Sequence, residues 1–141
     1  MGKLPSPYGI PDPEYPSEMR NERGRRLREF LRDEGEIFGY EYDFGDNWEH
    51  DVVVERIVTG AEVTGAEVTV ARCLEGERAC PPEDVGSPSG YMEYLEALKD
   101  PSHPDHQQMV EWRGPSFDPE RFDLKRINRR LSLLSRPRRR G

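Results

Sequence analysis

From residue 38 the chain alternates. Phe38, Tyr40, Tyr42 and Phe44 stand at every second position, with Gly39, Glu41 and Asp43 between them. Side chains two apart share one face of a strand, so this is the pattern of an amphipathic β-strand. Gly45-Asp46-Asn47 follows, and residues 48–58 form a second run rich in β-branched side chains. Two such runs around a three-residue loop containing Gly predict a β-hairpin. The register then sets Phe44 against Trp48, Tyr42 against His50, Tyr40 against Val52 and Phe38 against Val54. That face is aromatic and apolar and is expected to be core. The other face sets Asp43 against Glu49 and Glu41 against Asp51, like charges that destabilise one another unless something offsets them.

The rest of the pattern is helical or irregular. Residues 1–18 hold five prolines, which exclude a helix and favour an extended arm. Leu27, Phe30 and Leu31 share one side of a short Arg-rich helix expected over 22–32 and ended by Gly35. Residues 58–67 repeat Val-Thr-Gly-Ala-Glu, a solvent loop, and 67–72 form a possible third strand. The Gly- and Pro-rich stretch 73–90 is a loop. Ser87-Pro88 reads as an N-cap and first helical position, and Asp100-Pro101 as that helix's stop, with Tyr91, Tyr94, Leu95 and Leu98 on its apolar face. Pro104 opens a helix carrying Met109, Val110 and Trp112. A last helix begins at Pro119 or Leu124 and turns Ile127, Leu131 and Leu134 inward. These elements predict an α+β fold, a β-hairpin-centred antiparallel sheet packed against short helices. The expected division is an extended arm over 1–21, a domain over 22–134 and a disordered basic tail over 135–141.

Composition sharpens this. With 33% hydrophobic and 35% charged residues the core is thin. No apolar stretch suggests a leader or a membrane span, and two cysteines are too few for a disulfide scaffold, so a reduced cytoplasmic protein is expected. The net charge of −7 is segregated: +2 over residues 1–32, −17 over 33–123 and +8 over 124–141. A central segment this acidic repels phosphate, which leaves only the Arg-rich ends for nucleic acid.

Several groups of residues could carry chemistry. The hairpin acids call for a metal ion, the Arg-rich first helix or the basic C-terminal segment, and internal arginines are the expected answer. Asp43-Phe44-Gly45 lacks the phosphate loop and catalytic loop that accompany a kinase metal site, and Asp46-Asn47 are ordinary turn formers. Cys73 and Cys80 are farther apart than zinc-site cysteines usually are; His103 and His106, one helical turn apart, or His50 would have to complete a set. Buried thiols are the simpler reading. Pro81-Pro82 holds Glu83 and Asp84 in a fixed direction, suited to a cation, a water molecule or a cap. Residues 86–90 lead into a helix N-terminus but contain no Lys or Arg to hold phosphate.

Taken together, the motifs resemble one family. They are residues 40–50 (Tyr-Glu-Tyr-Asp-Phe-Gly-Asp-Asn-Trp-Glu-His), 73–84 (Cys-Leu-Glu-Gly-Glu-Arg-Ala-Cys-Pro-Pro-Glu-Asp), Gly90-Tyr91, and 100–106 (Asp-Pro-Ser-His-Pro-Asp-His). Trp112, residues 117–123 and Asn128 complete the set. In this order they resemble the plasmid pRiA4b ORF-3-like family, some of whose members are known as passenger proteins (TnpR) of insertion elements. The resemblance implies an α+β domain and a link to mobile genetic elements, and no particular reaction. It covers the later two-thirds of the family's domain; the first strand, the Ile-Trp-Arg-Arg-type stretch and the helix ending near Gly-Trp have no counterpart. Where relatives often carry Cys and Gly-Gly after Pro-Pro-Glu-Asp, this chain has Val85, Gly86 and Ser87, so a third cysteine ligand is missing.

Two functions follow from these features. One is a non-catalytic binding module for an unknown protein partner, for itself, or for nucleic acid through its Arg-rich ends, with no cofactor. The alternative is a metal-dependent hydrolase or nuclease using a divalent ion with Asp43, Asp46, His50, Glu83 and Asp84, or a metal held by Cys73, Cys80, His103 and His106.

Overall fold

A computed structural model describes residues 8–9, 20–58 and 71–134. Their elements are β1 (Tyr8–Gly9), β2 (Arg20–Asn21), a 3-10 turn (Leu27–Glu29), β3 (Ile37–Tyr42), β4 (Trp48–Val53), α1 (Ser87–Lys99), α2 (His106–Arg113) and α3 (Leu124–Leu134). The chain divides into two compact units, Met1–Ile37 with Val53–Ile57, and Phe38–Val52 with Val58–Gly141.

In the first unit β1 and β2 pair in parallel, Tyr8 with Arg20 and Gly9 with Asn21. The helix expected over 22–32 shrinks to the 3-10 turn Leu27–Glu29. Gly24 takes a positive φ of 77°, and Arg25 and Arg28 share one helical face, so a nucleus that is costly even for good helix formers gains little here. Glu29 accepts a hydrogen bond from the Arg26 N–H at 3.3 Å and holds what remains. Farther on, Gly35 N–H donates to Val54 O at 2.7 Å and Val54 N–H to Glu36 O at 2.9 Å. The Glu34 carboxylate accepts the Ile57 N–H at 2.8 Å.

The second unit holds the hairpin and the helices. β3 and β4 form a two-stranded antiparallel sheet, and the expected face is kept while the register moves. The strands end at Tyr42 and begin again at Trp48, and Asn47 N–H donates to Asp43 O at 2.6 Å. Tyr42 therefore stands opposite Trp48, Tyr40 opposite His50 and Phe38 opposite Val52, around a loop over 43–47 rather than three residues. The cause is local. Asp43 and Asn47 adopt left-handed φ values of 59° and 54°. The Asp43 carboxylate also accepts the N–H groups of Gly45 at 2.9 Å and Asp46 at 3.3 Å. Such an Asp turn competes with the strand ladder for the same backbone. Slipping by two residues leaves each side chain on its face. It also leaves one like-charge pair on the opposite face, Glu41 with Glu49, and the Asn47 amide, its nitrogen turned toward Glu41, donates to that carboxylate at 2.7 Å.

Burial is concentrated on α1. Tyr94 and Ala97, at 3% and 2% exposure, are the buried apolar residues among those described. Tyr94 meets Trp112 and Phe117 edge-on at 5.8 and 5.7 Å between ring centroids. Tyr91 meets Phe117 at 6.1 Å and Trp48 at 6.4 Å. Five rings thus run from the hairpin through α1 to α2, each such contact worth roughly 0.5–1.5 kcal/mol beyond its buried area. Among the described residues the hairpin joins this row at Trp48. Of its other rings, all expected in the core, Phe38 is half-buried and Tyr40, Tyr42 and Phe44 are open, Tyr40 51% and Phe44 61% exposed.

The helices start and stop near their sequence signals. α1 begins at Ser87 with Gly86 as its N-cap, one residue earlier than expected, and ends before Asp100. α2 starts at His106, after a turn over 101–105. α3 starts at Leu124 and half-buries Ile127 and Leu131, whereas Leu134, expected inward, is exposed. Asn128 of α3 pins the irregular stretch before α1, its Oδ1 accepting the Cys73 N–H at 2.8 Å and its Nδ2 donating to Cys73 O at 2.9 Å. The possible third strand over 67–72 and the tail over 135–141 lie outside the described residues, except that Ala71 and Arg72 are irregular.

Since the core lies at Tyr94, Tyr94→Ala is expected to cost about 3–5 kcal/mol, while Phe44→Ala should stay within about 0.5 kcal/mol of the parent. Chemical denaturation of both variants checks this, and equal losses would return the hairpin tip to the core. At Gly90 an added Cβ meets the Val85 carbonyl, a backbone group that cannot swing aside. Gly90→Ala should lower the melting temperature even though Ala favours a helix.

Candidate functional site

Over 81–87 the backbone is tightly constrained. After Pro81-Pro82, Asp84, Gly86 and Ser87 all take positive φ, 60°, 90° and 67°. For Asp84 and Ser87 this is a conformation that L-residues avoid, so surrounding bonds must hold it. Three of them do. Tyr42 Oη donates to both Glu83 carboxylate oxygens at 3.1 Å. Arg113 Nη2 donates to the Glu83 carbonyl at 2.8 Å. The Gly86 N–H donates to Asp46 Oδ2 at 3.1 Å.

The last of these is a cap supplied from a distance. Gly86 has no side chain to cap α1, and the first turn of α1 contains no acid. Asp46, from the hairpin loop, brings a carboxylate to that N-terminus, where the helix dipole favours negative charge. Glu83 acts on Tyr42 in turn. The hydrogen bond to Glu83, and then its charge, raise the Tyr42 phenol above its ordinary pKa. Burial raises Tyr91 and Tyr94 in the same direction, and the Arg113 charge opposes it at Tyr94.

The sequence-derived candidates separate. Asp46 and Glu83 meet at the junction of hairpin and loop. Asp43 is engaged within its own loop. His50 is exposed on β4, with Nδ1 3.2 Å from Tyr40 O and its ring 5.7 Å from that of Tyr40. Asp84 lines a groove between α1 and α2. Cys73 is half-buried and its Sγ donates to Glu75 O at 3.3 Å, while Cys80 is exposed. His103 Nδ1 accepts the Asp105 N–H at 3.1 Å, and His106 Nδ1 donates to Ala97 O at 2.8 Å. Among the described residues no three side chains of His, Cys, Asp or Glu gather as a metal site. At the junction Asp46 is met by the Gly86 N–H and Glu83 by the Tyr42 phenol; the C-terminal arginines over 136–140, expected to balance the acids, lie outside the described residues.

Sequence reasoning did not assign Tyr42, Arg113 or Asn128 these positioning roles. Asn128 had a signal, as a polar residue on the inward side of an amphipathic helix. The groove has about 570 Å³ of space above Tyr94, Met109 and Trp112, with Asp84, Glu93, Asp105 and Glu111 along its sides. The Arg113 guanidinium lies 4.5 Å from the Trp112 ring centroid.

The Tyr42–Glu83 bond has a pH signature. Because the folded-state pKa of Tyr42 is raised, its stabilisation is complete below the ordinary phenol value of about 10 and is lost as pH rises through the raised value. Ultraviolet titration of phenolate should show Tyr42 ionising late, a transition that Tyr42→Phe removes and Glu83→Gln moves back toward the ordinary value. An unchanged curve in Glu83→Gln would mean the bond does not form.

Set beside known proteins, the fold and motifs have counterparts. The crystal structure of the protein of unknown function MM3350 from Methanosarcina mazei Go1 matches with a TM-score of 0.63 and 39% identity, over 77% of this chain and 58% of that one. The uncharacterized protein y4hQ of Sinorhizobium fredii is 37% identical over 130 residues, 91% of this chain and 64% of the relative. The chain thus spans less than two-thirds of the length of either relative. No helix among its described residues is long and apolar enough to cross a membrane. The family model for plasmid pRiA4b ORF-3-like proteins matches residues 5–126, and the chain belongs to that family.

Proposed function

We propose that the chain is a non-catalytic interaction module whose binding face is the open end of the hairpin. The observation that carries this reading is the exposure of Tyr40 and Tyr42 on one face of β3 and of Phe44 in the loop that follows, beside His50 and Val52 of β4. Large apolar side chains grouped at a surface mark interaction sites, and tyrosine is enriched in them because its ring gives area and its hydroxyl a hydrogen bond. Among the described residues β3 and β4 each have one strand neighbour, so each also offers an edge for strand addition.

The partner in this reading is a protein strand, with a second copy of the chain the first candidate. Nucleic acid is engaged only through the Arg-rich ends. The family resemblance adds the setting, that of a mobile genetic element's accessory protein, and the composition adds the cytoplasm. The strained 81–87 loop holds the hairpin's orientation and needs no reaction to explain its acids.

Sedimentation equilibrium over a hundredfold concentration range tests the face. The parent should associate reversibly, and Tyr40→Ser with Phe44→Ser should weaken association at least tenfold without lowering the melting temperature. A parent that stays monomeric throughout, or a double variant that associates equally well, would remove the hairpin as the interface.

A further inference from the structure

The groove between α1 and α2 is lined by residues from 84–112, and none of its lining belongs to β3 or β4. Buried Tyr94 and Ala97 form its floor, with Met109 and the Trp112 ring beside them. Around it stand four carboxylates, those of Asp84, Glu93, Asp105 and Glu111, all on exposed residues. Among the described residues no Lys or Arg lines it. Nor do these acids focus on a point. No three side chains of His, Cys, Asp or Glu among the described residues gather as a metal site, so the negative charge is spread around about 570 Å³ of space. Charge spread around a ligand-sized space suits an organic cation rather than a metal ion, and it repels phosphate and acidic peptides.

The rings select among organic cations. A guanidinium stacks its flat face on an aromatic ring while its edge pairs with carboxylates, whereas an ammonium is compact and more strongly hydrated. Trp112 already accepts such a group: the Arg113 guanidinium lies 4.5 Å from its ring centroid, although Arg113 does not itself line the groove. The fork of one guanidinium is filled by one or two carboxylates, so four of them call for more than one cation. Free arginine would also carry its own α-carboxylate in among the acids; an arginine within a peptide carries none. We infer that this groove is a docking site for a segment of a partner protein that bears two arginines close together. It is a second site, distinct from the hairpin face, and it works by side-chain charge and ring stacking rather than by strand addition.

Two-dimensional NMR of the full chain tests the assignment, with the end-blocked peptide Gly-Arg-Gly-Arg-Gly as the probe. The peptide should move the Trp112 indole N–H and the Glu93 and Gln108 amides along a saturating curve. Its lysine counterpart should bind about threefold more weakly, for want of the stacking plane. Butylguanidinium, a single cation with no second one tethered to it, should bind roughly tenfold more weakly. Glu93→Gln with Glu111→Gln should weaken the arginine peptide about fivefold while the melting temperature holds, and added salt should weaken it in the parent. An unmoved Trp112 resonance, a lysine peptide bound as tightly, or a double variant that binds unchanged would each overturn the inference. Butylguanidinium bound as tightly as the peptide would put a small cation in place of the partner and overturn it as well. Tyr40→Ser with Phe44→Ser should leave the peptide's affinity unchanged, so this site and the hairpin face fail separately.

Discussion

The second unit depends on how the backbone around Glu83 is held. Three consecutive constraints meet there: two prolines before it, a left-handed residue after it, and a side chain and a carbonyl that each have one partner. Tyr42 takes the carboxylate and Arg113 takes the carbonyl, so one residue ties β3 to the end of α2. Asp46 adds a second tie two residues past Asp84, at the start of α1. The strain of positive φ at Asp84 and Ser87 costs of order 1 kcal/mol or more at each, and it persists because these bonds leave the loop no alternative path.

This arrangement gives the acidic motif a structural meaning. Carboxylates that cluster in a sequence invite a metal or a proton-transfer role. Here each is used where a backbone or phenol donor would otherwise be left open: Asp43 inside the hairpin loop, Asp46 at a helix start, Glu83 at a tyrosine. Spending charge on caps and turns suits a chain with a thin core. The row of rings from Trp48 to Trp112 supplies apolar contact, and the acids supply direction.

Much of this was legible in the chain. Alternation at Phe38, Tyr40 and Tyr42 identified the hairpin and its faces, because period two survives a register shift of two. Ser87-Pro88 and Asp100-Pro101 marked the limits of α1 to within a residue, while α3 takes Leu124, the later of its two expected starts. What could not be read were outcomes of competition between local and distant bonds. The Asp43 turn lengthened the loop at the expense of the ladder, and Gly24 with its neighbouring arginines left Leu27–Glu29 as a single turn. Burial of Ala97 beside Tyr94 depends on where α2 crosses α1, which no periodicity in either helix specifies. The capping partner of α1 is 40 residues away in sequence, and only the folded hairpin brings Asp46 there. Resemblance to the family was carried by these same motifs, and the family match confirms it over residues 5–126.

The position of the two tryptophans has a practical side. Trp48 and Trp112, the chain's full complement, both belong to the second unit and sit at opposite ends of its row of rings. Indole emission therefore reports on that unit from two vantage points, and the first unit contributes no indole of its own. An unfolding curve recorded by tryptophan fluorescence measures the helices and the start of β4, while the parallel pairing of Tyr8–Gly9 with Arg20–Asn21 needs a probe of its own.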